Sequence, residues 1–448
     1  MKIVSLKEKL AYSLCIIGDI PFTIVTSSFL LIFYTNVVGL DPAACATLFL
    51  IARIVDGLND PLVGIFIDRR PYTKWGHFRP TLLVGGILCA LNFGMMWLGP
   101  LWAPAGKLAI AYVTYLLLGV LFPLMDISLN SMLPVMTENS DERNQLSTIR
   151  GGVQQVMSLI ISFAAPLIVA NTSEASGYIK LTVITVLSGI FCICAGTAGL
   201  KENVKVSEKK TYRIREILDV FKLKPMLAFY IAILLSGIGM SLMLTSNTYF
   251  FTYIFGGMAI YSVVSIVNSV FCLPTLFTSG FFVKRFGKKG TFIVGVLVLG
   301  LATLLRMFDL TNVPLLFLST AIMALGQGLR SPIQYNLMAE LTDYAELKLG
   351  VRSEAGVASA SSFVAKVGMG IAGAIPGYLL ALSGFDSTMQ VQSPSTNAVI
   401  VVCTILLPAA LQILAAAVMY FFYPIGKKEQ EKLEREVKEL HEKGITDR

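Results

Sequence analysis

Twelve runs of roughly 20 or more mostly apolar residues recur along the chain, and no other feature limits its fold so strictly. They lie at about 10–34, 42–67, 80–98, 108–135, 146–170, 179–199, 226–252, 257–283, 290–308, 312–340, 354–383 and 397–423. Unpaired backbone groups are not tolerated in lipid, and the runs are too long and too evenly apolar for barrel strands. The expected fold is an all-α membrane protein, a bundle of twelve transmembrane helices. Composition agrees: 14% of the 448 residues are charged, against about 25% in soluble domains, which excludes a soluble multidomain enzyme and a disordered chain.

The net charge of +8 would suit nucleic acid only if it formed a patch, and it does not. Most of the 36 Lys and Arg fall in alternate loops, densest at Lys201, Lys205, Lys209, Lys210, Arg213, Arg215, Lys222 and Lys224. The other loops carry little beyond Lys107 and Lys180. By the positive-inside rule both termini are cytoplasmic, in a multi-pass protein of the cell membrane with no nucleic-acid partner. The first run lacks a small-residue cleavage site and reads as a retained span. Trp97 and Trp102 are expected to anchor the outer end of the third span.

The basic central loop divides the runs six and six. The expected domains are an N-terminal six-helix bundle over 1–199, a cytoplasmic central loop over 200–224, a C-terminal six-helix bundle over 225–423 and a charged cytoplasmic tail over 424–448. A faint echo suggests duplication: Gly64-Ile65-Phe66-Ile67-Asp68-Arg69-Arg70 against Gly280-Phe281-Phe282-Val283-Lys284-Arg285-Phe286. Two pseudo-symmetric six-helix bundles are the major facilitator architecture. In the tail, Leu433, Val437 and Leu440 stand at helical spacing, so a short solvated helix is expected, with docking of a cytoplasmic regulatory protein as the alternative. The seven cysteines sit in apolar runs without a CxxC pair and read as core residues.

An ionisable side chain at mid-membrane costs about 2.5–3.5 kcal/mol to insert, so each one needs a reason. Asp56 and Asp60 share one helix face at i and i+4, with Asn59 beside them, about 20 Å along the second span. Two carboxylates and an amide oxygen suit a small hard cation or a proton, which relieves their mutual repulsion. An ion pair of Asp56 with Arg53 is the plainer reading. Asp19, Asp126, Asn130, Arg150 and Lys366 are also embedded, and such acceptors, amides and cations suit sugar hydroxyls. Snorkelling at the interface is the alternative for Arg150, and a counter-charge to Asp56 or Asp60 for Lys366.

Four blocks carry a resemblance: Phe33-Tyr34-Thr35-Asn36-Val37-Val38-Gly39-Leu40, Ala52-Arg53-Ile54-Val55-Asp56-Gly57-Leu58-Asn59-Asp60-Pro61, Lys74-Trp75-Gly76-His77-Phe78-Arg79-Pro80, and Thr342-Asp343-Tyr344-Ala345-Glu346 through Glu354. The chain resembles the glycoside–pentoside–hexuronide:cation symporters, the melibiose-carrier branch of the major facilitator superfamily, over nearly its whole length. The resemblance implies coupling-cation residues at Asp56, Asn59 and Asp60. It implies sugar contacts at Asp126 and Arg150, and a lysine near both sites at Lys366. It implies charged residues of a cytoplasmic gate at Arg143, Asp343, Arg352 and Glu354. The sequence departs from the melibiose carrier at Asn130 and Ser331, where that carrier has tryptophans, at Asp19-Ile20, and at Pro123, where a hydroxyl assists sodium.

The expected function is therefore cation-coupled import of a glycoside, pentoside or hexuronide by alternating access. The coupling ion is H+ or Na+, with Pro123 tilting the reading towards the proton, and no cofactor is expected. The alternatives are an exporter or antiporter of small molecules and a sodium-coupled lipid carrier. Enzyme activity finds no support, because neither His77 nor His441 lies near a nucleophile motif.

Overall fold

The computed structural model describes residues 4–137, 140–170, 174–203, 223–349 and 354–446, and within these a few side chains, Asp60, Arg143 and Glu354 among them, lie outside the description. The regular structure of the described residues is helical, with one isolated bridge between Thr73 and Gly76. The first half holds α1 (Leu6–Ile32), α2 (Pro42–Asp68), α3 (Phe78–Trp102), α4 (Lys107–Met136), α5 (Ser140–Ala170) and α6 (Glu174–Gly199). The second holds α7 (Lys224–Tyr249), α8 (Ala259–Leu304), α9 (Val313–Leu349), α10 (Glu354–Leu382), α11 (Pro394–Val401), α12 (Leu407–Phe422) and α13 (Lys427–Thr446). Helix α8 contains two expected spans, divided at Gly287, where φ is 73°. A π-helical turn, Val402–Leu406, joins α11 to α12 into one span.

Among the described residues ten stretches are long and apolar enough to cross a membrane, and Pro42–Arg53 and Ala259–Thr275 are shorter apolar stretches at the places of the second and eighth spans.

The chain forms two compact units. The first comprises Met1–Lys209, Asn247–Ser265 and Gly373–Asn397; the second comprises Lys210–Ser246, Ile266–Ala372 and Ala398–Arg448. In the first unit α1 begins with a capping box, in which the Glu8 amide donates to the Ser5 hydroxyl and the Glu8 carboxylate accepts from the Ser5 amide. Gly85 and Gly86 let α3 approach α4 and α6 with no side chain between. Trp97 is fully buried, stacked on Tyr178 and packed on Phe33 and Phe93, so it is a core residue and not the anchor expected of it. Trp102, 69% exposed, keeps the anchoring position.

One local pattern occurs twice in this unit. Phe33–Val37 and Phe250–Ile254 are both π-helical turns, closing α1 and α7. In each, the sixth residue donates its amide to the first residue's carbonyl, Val38 to Phe33 at 3.1 Å and Phe255 to Phe250 at 3.0 Å. Each run then reaches a glycine with positive φ, Gly39 at 67° and Gly256 at 84°, where a side chain would be strained. The sequences Phe33-Tyr34-Thr35-Asn36-Val37-Val38-Gly39 and Phe250-Phe251-Thr252-Tyr253-Ile254-Phe255-Gly256 align residue for residue. One pair of equivalent positions also meets, Asn36 donating to the Tyr253 hydroxyl, and beside it the Thr35 and Tyr249 hydroxyls lie 2.7 Å apart.

In the second unit Phe229, Phe292, Val296, Ile333, Leu337, Met419 and Tyr423 form the core. Helix α13 packs along α9, burying Leu433 and Val437, while Lys427 Nζ donates to the Lys284 carbonyl at 2.7 Å. The tail helix is thus docked by its apolar stripe, because two buried side chains one turn apart outweigh solvation of that face. Its other face carries exposed charges such as Lys428, Glu431 and Lys432.

Candidate substrate and cation site

In α2 the residues at 49, 53, 56 and 59 recur every three or four positions and so face one way, towards Tyr115 and Gly119 of α4. Phe49 packs on the Tyr115 ring at 5.0 Å. Arg53 Nη1 donates to Asp56 Oδ2 at 3.0 Å, and Tyr115 is the other group acting on this guanidinium. The second Asp56 oxygen lies so close to Gly119 that any side chain there would overlap it. Asn59 Nδ2 donates to the Gly119 carbonyl at 2.9 Å, which leaves the Asn59 amide oxygen as an acceptor. The Asp60 carboxylate lies outside the described residues. The plainer reading of Asp56, an ion pair with Arg53, is therefore present, and a cation ligand set at Asp56 and Asn59 would have to form beside it.

A second group lies where α1, α4 and α5 meet. Asp19 is 5% exposed, and its Oδ1 has no hydrogen-bond partner among the described residues. The charges acting on it are Asp126 and Arg150. Arg150 Nη2 stands 3.9 Å from Asp126 Oδ1, a loose pair rather than a bidentate clamp, and Asn130 donates to Asp126 from one turn further along α4. Arg150 thus has an acid beside it. Four residues predicted from sequence, Asp19, Asp126, Asn130 and Arg150, are brought together in the first unit. Their chemistry is an acceptor left open, a carboxylate with capacity to spare, an amide and a guanidinium, which suits a polyhydroxylated ligand.

The remaining predicted residues belong to the second unit or lie outside the description. Lys366 and Asp343 are half-buried on α10 and α9, and both take part in polar contacts. Arg352 and the side chains of Arg143 and Glu354 are outside the described residues. Among the described residues no three His, Cys, Asp or Glu side chains gather as a metal cluster.

Sequence reasoning missed Arg330. It lies near the middle of the apolar stretch Val313–Ala345, and its Nη1 donates to the Ser236 hydroxyl, which in turn donates to Gln412 Oε1 at 2.7 Å. Arg330 Nε has no hydrogen-bond partner among the described residues. The signal was available, since a lone basic residue inside an apolar run costs as much as an acid.

The chain matches the family described as "MFS/sugar transport protein" over residues 12–427. It belongs to that family. The transporter is 33% identical over 402 residues to the "Isoprimeverose transporter" of Lactiplantibacillus pentosus, covering 88% of this chain and 83% of that protein. It is 28% identical to the "Glucuronide carrier protein homolog" of Escherichia coli (strain K12), over 94% of this chain and 93% of that one. Among solved structures it superposes on the nucleoside transporter NupG with a TM-score of 0.68 at 13% identity, over 93% and 99% of the two chains. On a D-xylose-proton symporter the TM-score is 0.66 at 15% identity, over 94% and 98%. These likenesses establish the major facilitator fold. The chain is a multi-pass membrane transporter of sugar-type small molecules and not an enzyme, as its sequence led one to expect.

Proposed function

We propose that this transporter imports a glycoside, pentoside or hexuronide together with H+ or Na+, by alternating access, with both termini on the cytoplasmic side of the cell membrane. The observation that carries the reading is the buried Asp19 oxygen, without a partner among the described residues and under the charges of Asp126 and Arg150. A buried acceptor left open costs about 1–3 kcal/mol, and a ligand hydroxyl recovers that cost. Asp126, Asn130 and Arg150 hold the sugar with Asp19. Asp56, Asn59 and Asp60 take the coupling ion. When it binds, Asp56 exchanges its hold on Arg53 for the ion or proton. Pro123 offers no hydroxyl beside Asp126, which favours the proton. Arg143, Asp343, Arg352 and Glu354 close the cytoplasmic path, while Asn36–Tyr253 and Thr35–Tyr249 close the opposite end.

Names of the relatives agree in substrate class, since they include an isoprimeverose transporter, a glucuronide carrier homolog and a putative sulfoquinovose importer of Escherichia coli (strain K12). One specific observation favours a second reading of direction: a relative 28% identical is named a putative 2,3-dihydroxypropane-1-sulfonate exporter. The test is a panel of glycosides and hexuronides added to proteoliposomes, with external pH followed with and without sodium. Alkalinisation on addition of one sugar is the expected result. Sodium-dependent uptake without alkalinisation would replace the proton by sodium, and silence towards the whole panel would overturn the symport reading.

A further inference from the structure

A groove of about 540 Å³ lies on the first unit between the start of α3 and the end of α6, away from the acidic cluster. Lys74, Trp75 and Arg79 line its mouth, and Leu83, Ile87 and Cys194 line its floor. The mouth is built rather than incidental. Thr73 and Gly76 exchange backbone hydrogen bonds at 3.1 Å, and the Trp75 amide donates to the Thr73 hydroxyl, so Lys74 and Trp75 project from a tight turn. Glu202 clamps that turn by accepting from the amides of His77, Phe78 and Arg79 at 2.8–3.0 Å. A side chain at Gly76, where φ is 109°, would overlap this carboxylate. Arg79 donates to the Thr197 carbonyl from Nε and Nη2 at 3.2 and 2.9 Å, fixing its guanidinium over the end of α6.

Charge and polarity define what fits. Lys74, Arg79 and the neighbouring Lys201 stand against one acid, Glu202, which is spent on three backbone amides. The mouth is therefore cationic. Below it the groove opens onto apolar surface that a membrane protein turns to lipid: Val84 and Leu88 on α3, Leu187 and Phe191 on α6, the last 69% exposed. Trp75, 63% exposed, stands at the junction of the two zones, the level favoured by an indole ring. An ordinary soluble anion would satisfy the mouth and leave the floor empty.

We infer that this groove holds one anionic phospholipid, its phosphate at Lys74 and Arg79 and one acyl chain along Leu83 and Ile87. The inference needs only that the chain is membrane-embedded and is independent of the coupling ion and the sugar. Trp75, Trp97 and Trp102 are the tryptophans of the chain, and Trp102 at the far end of α3 serves as an internal control. Full-length W97F/W102F and W75F/W97F variants isolate Trp75 and Trp102. Each is reconstituted in phosphatidylcholine containing a minor fraction of brominated phosphatidylglycerol or, separately, brominated phosphatidylcholine. Quenching of Trp75 is expected to report a local anionic-lipid fraction about fivefold above bulk for each basic group engaged, while Trp102 reports the bulk fraction. Lys74→Glu on the Trp75 background should remove most of the enrichment, and inorganic phosphate at fixed ionic strength should leave it intact. Equal quenching of Trp75 by the two brominated lipids would overturn the inference. So would enrichment that survives Lys74→Glu, or that inorganic phosphate abolishes.

Discussion

The two units embed their arginines differently. In the first, embedded acids meet arginines: Asp56 pairs with Arg53, and Asp126 stands loosely beside Arg150 with Asp19 behind it. In the second, Arg330 is embedded among neutral partners, Ser236 and Gln412. Its sequence accounts for part of the contrast: from Lys224 to Ala339 the only acid is Asp309, in a turn, and the next, Glu340, is buried and paired with Lys288 at 3.2 Å. An acid can take up a proton or sodium and a guanidinium cannot, which is why the proposed ion coupling is assigned to the acids of α2. Buried ion pairs are also poor stabilisers compared with apolar packing, so acids kept in lipid at this expense point to use rather than support.

The contrast can be broken by substitution. Asp126→Asn should have the largest effect, lowering sugar affinity by about 100-fold, because it removes the charged acceptor proposed for the sugar hydroxyls. Calorimetric titration of purified protein checks this, and near-normal affinity would remove Asp126 from the site. Gly119→Ala should come next. A methyl group there displaces the Asp56 carboxylate, and overpacking of this kind costs about 1–3 kcal/mol, read as a roughly tenfold or larger loss of initial uptake rate. Arg330→Met should change affinity by less than about threefold and leave the melting temperature close to that of the parent, since Ser236 and Gln412 still bond each other. A loss as large as that of Asp126→Asn would erase the difference between the units.

The smallest effect concerns an acid of the first unit outside the membrane. Glu142 accepts from the Thr137 hydroxyl at 2.6 Å and the Val4 amide at 3.0 Å, and these bonds with nearby Lys9 hold its carboxyl below the ordinary value of 4.5. A depressed carboxylate adds stability that is complete above its unfolded value and is lost as pH falls through the folded one. The Val4 amide should therefore be protected from exchange at neutral pH in the parent and not in Glu142→Gln, and the two should converge in strong acid. Equal protection at neutral pH would show the contact to be idle.

The helical membrane fold was legible because length and hydropathy of a span are local properties. The same locality misled at Trp97 and at the tail helix, where a side chain's surroundings depend on which helix packs against it. The site was legible in part. Asp19, Asp126, Asn130 and Arg150 could be found because a charge or an amide in lipid is costly anywhere, but their convergence on one place needed the packing of α1, α4 and α5. Gly119 could not be found at all, because a glycine in an apolar run says nothing until a carboxylate is seen against it. The paired π-helical turns were open to reading from their aligned sequences, yet the contact between Asn36 and Tyr253 was not, since alignment gives equivalence and not proximity.

The central claim is that the acids of α2 couple an ion to transport while the sugar contacts lie elsewhere in the same unit. It is tested most directly by comparing Asp56→Asn with the parent in proteoliposomes, measuring uphill accumulation under an imposed ion gradient and equilibrium sugar counterflow in the same preparation. The account predicts that Asp56→Asn keeps counterflow and loses accumulation altogether. Accumulation equal to that of the parent would contradict it.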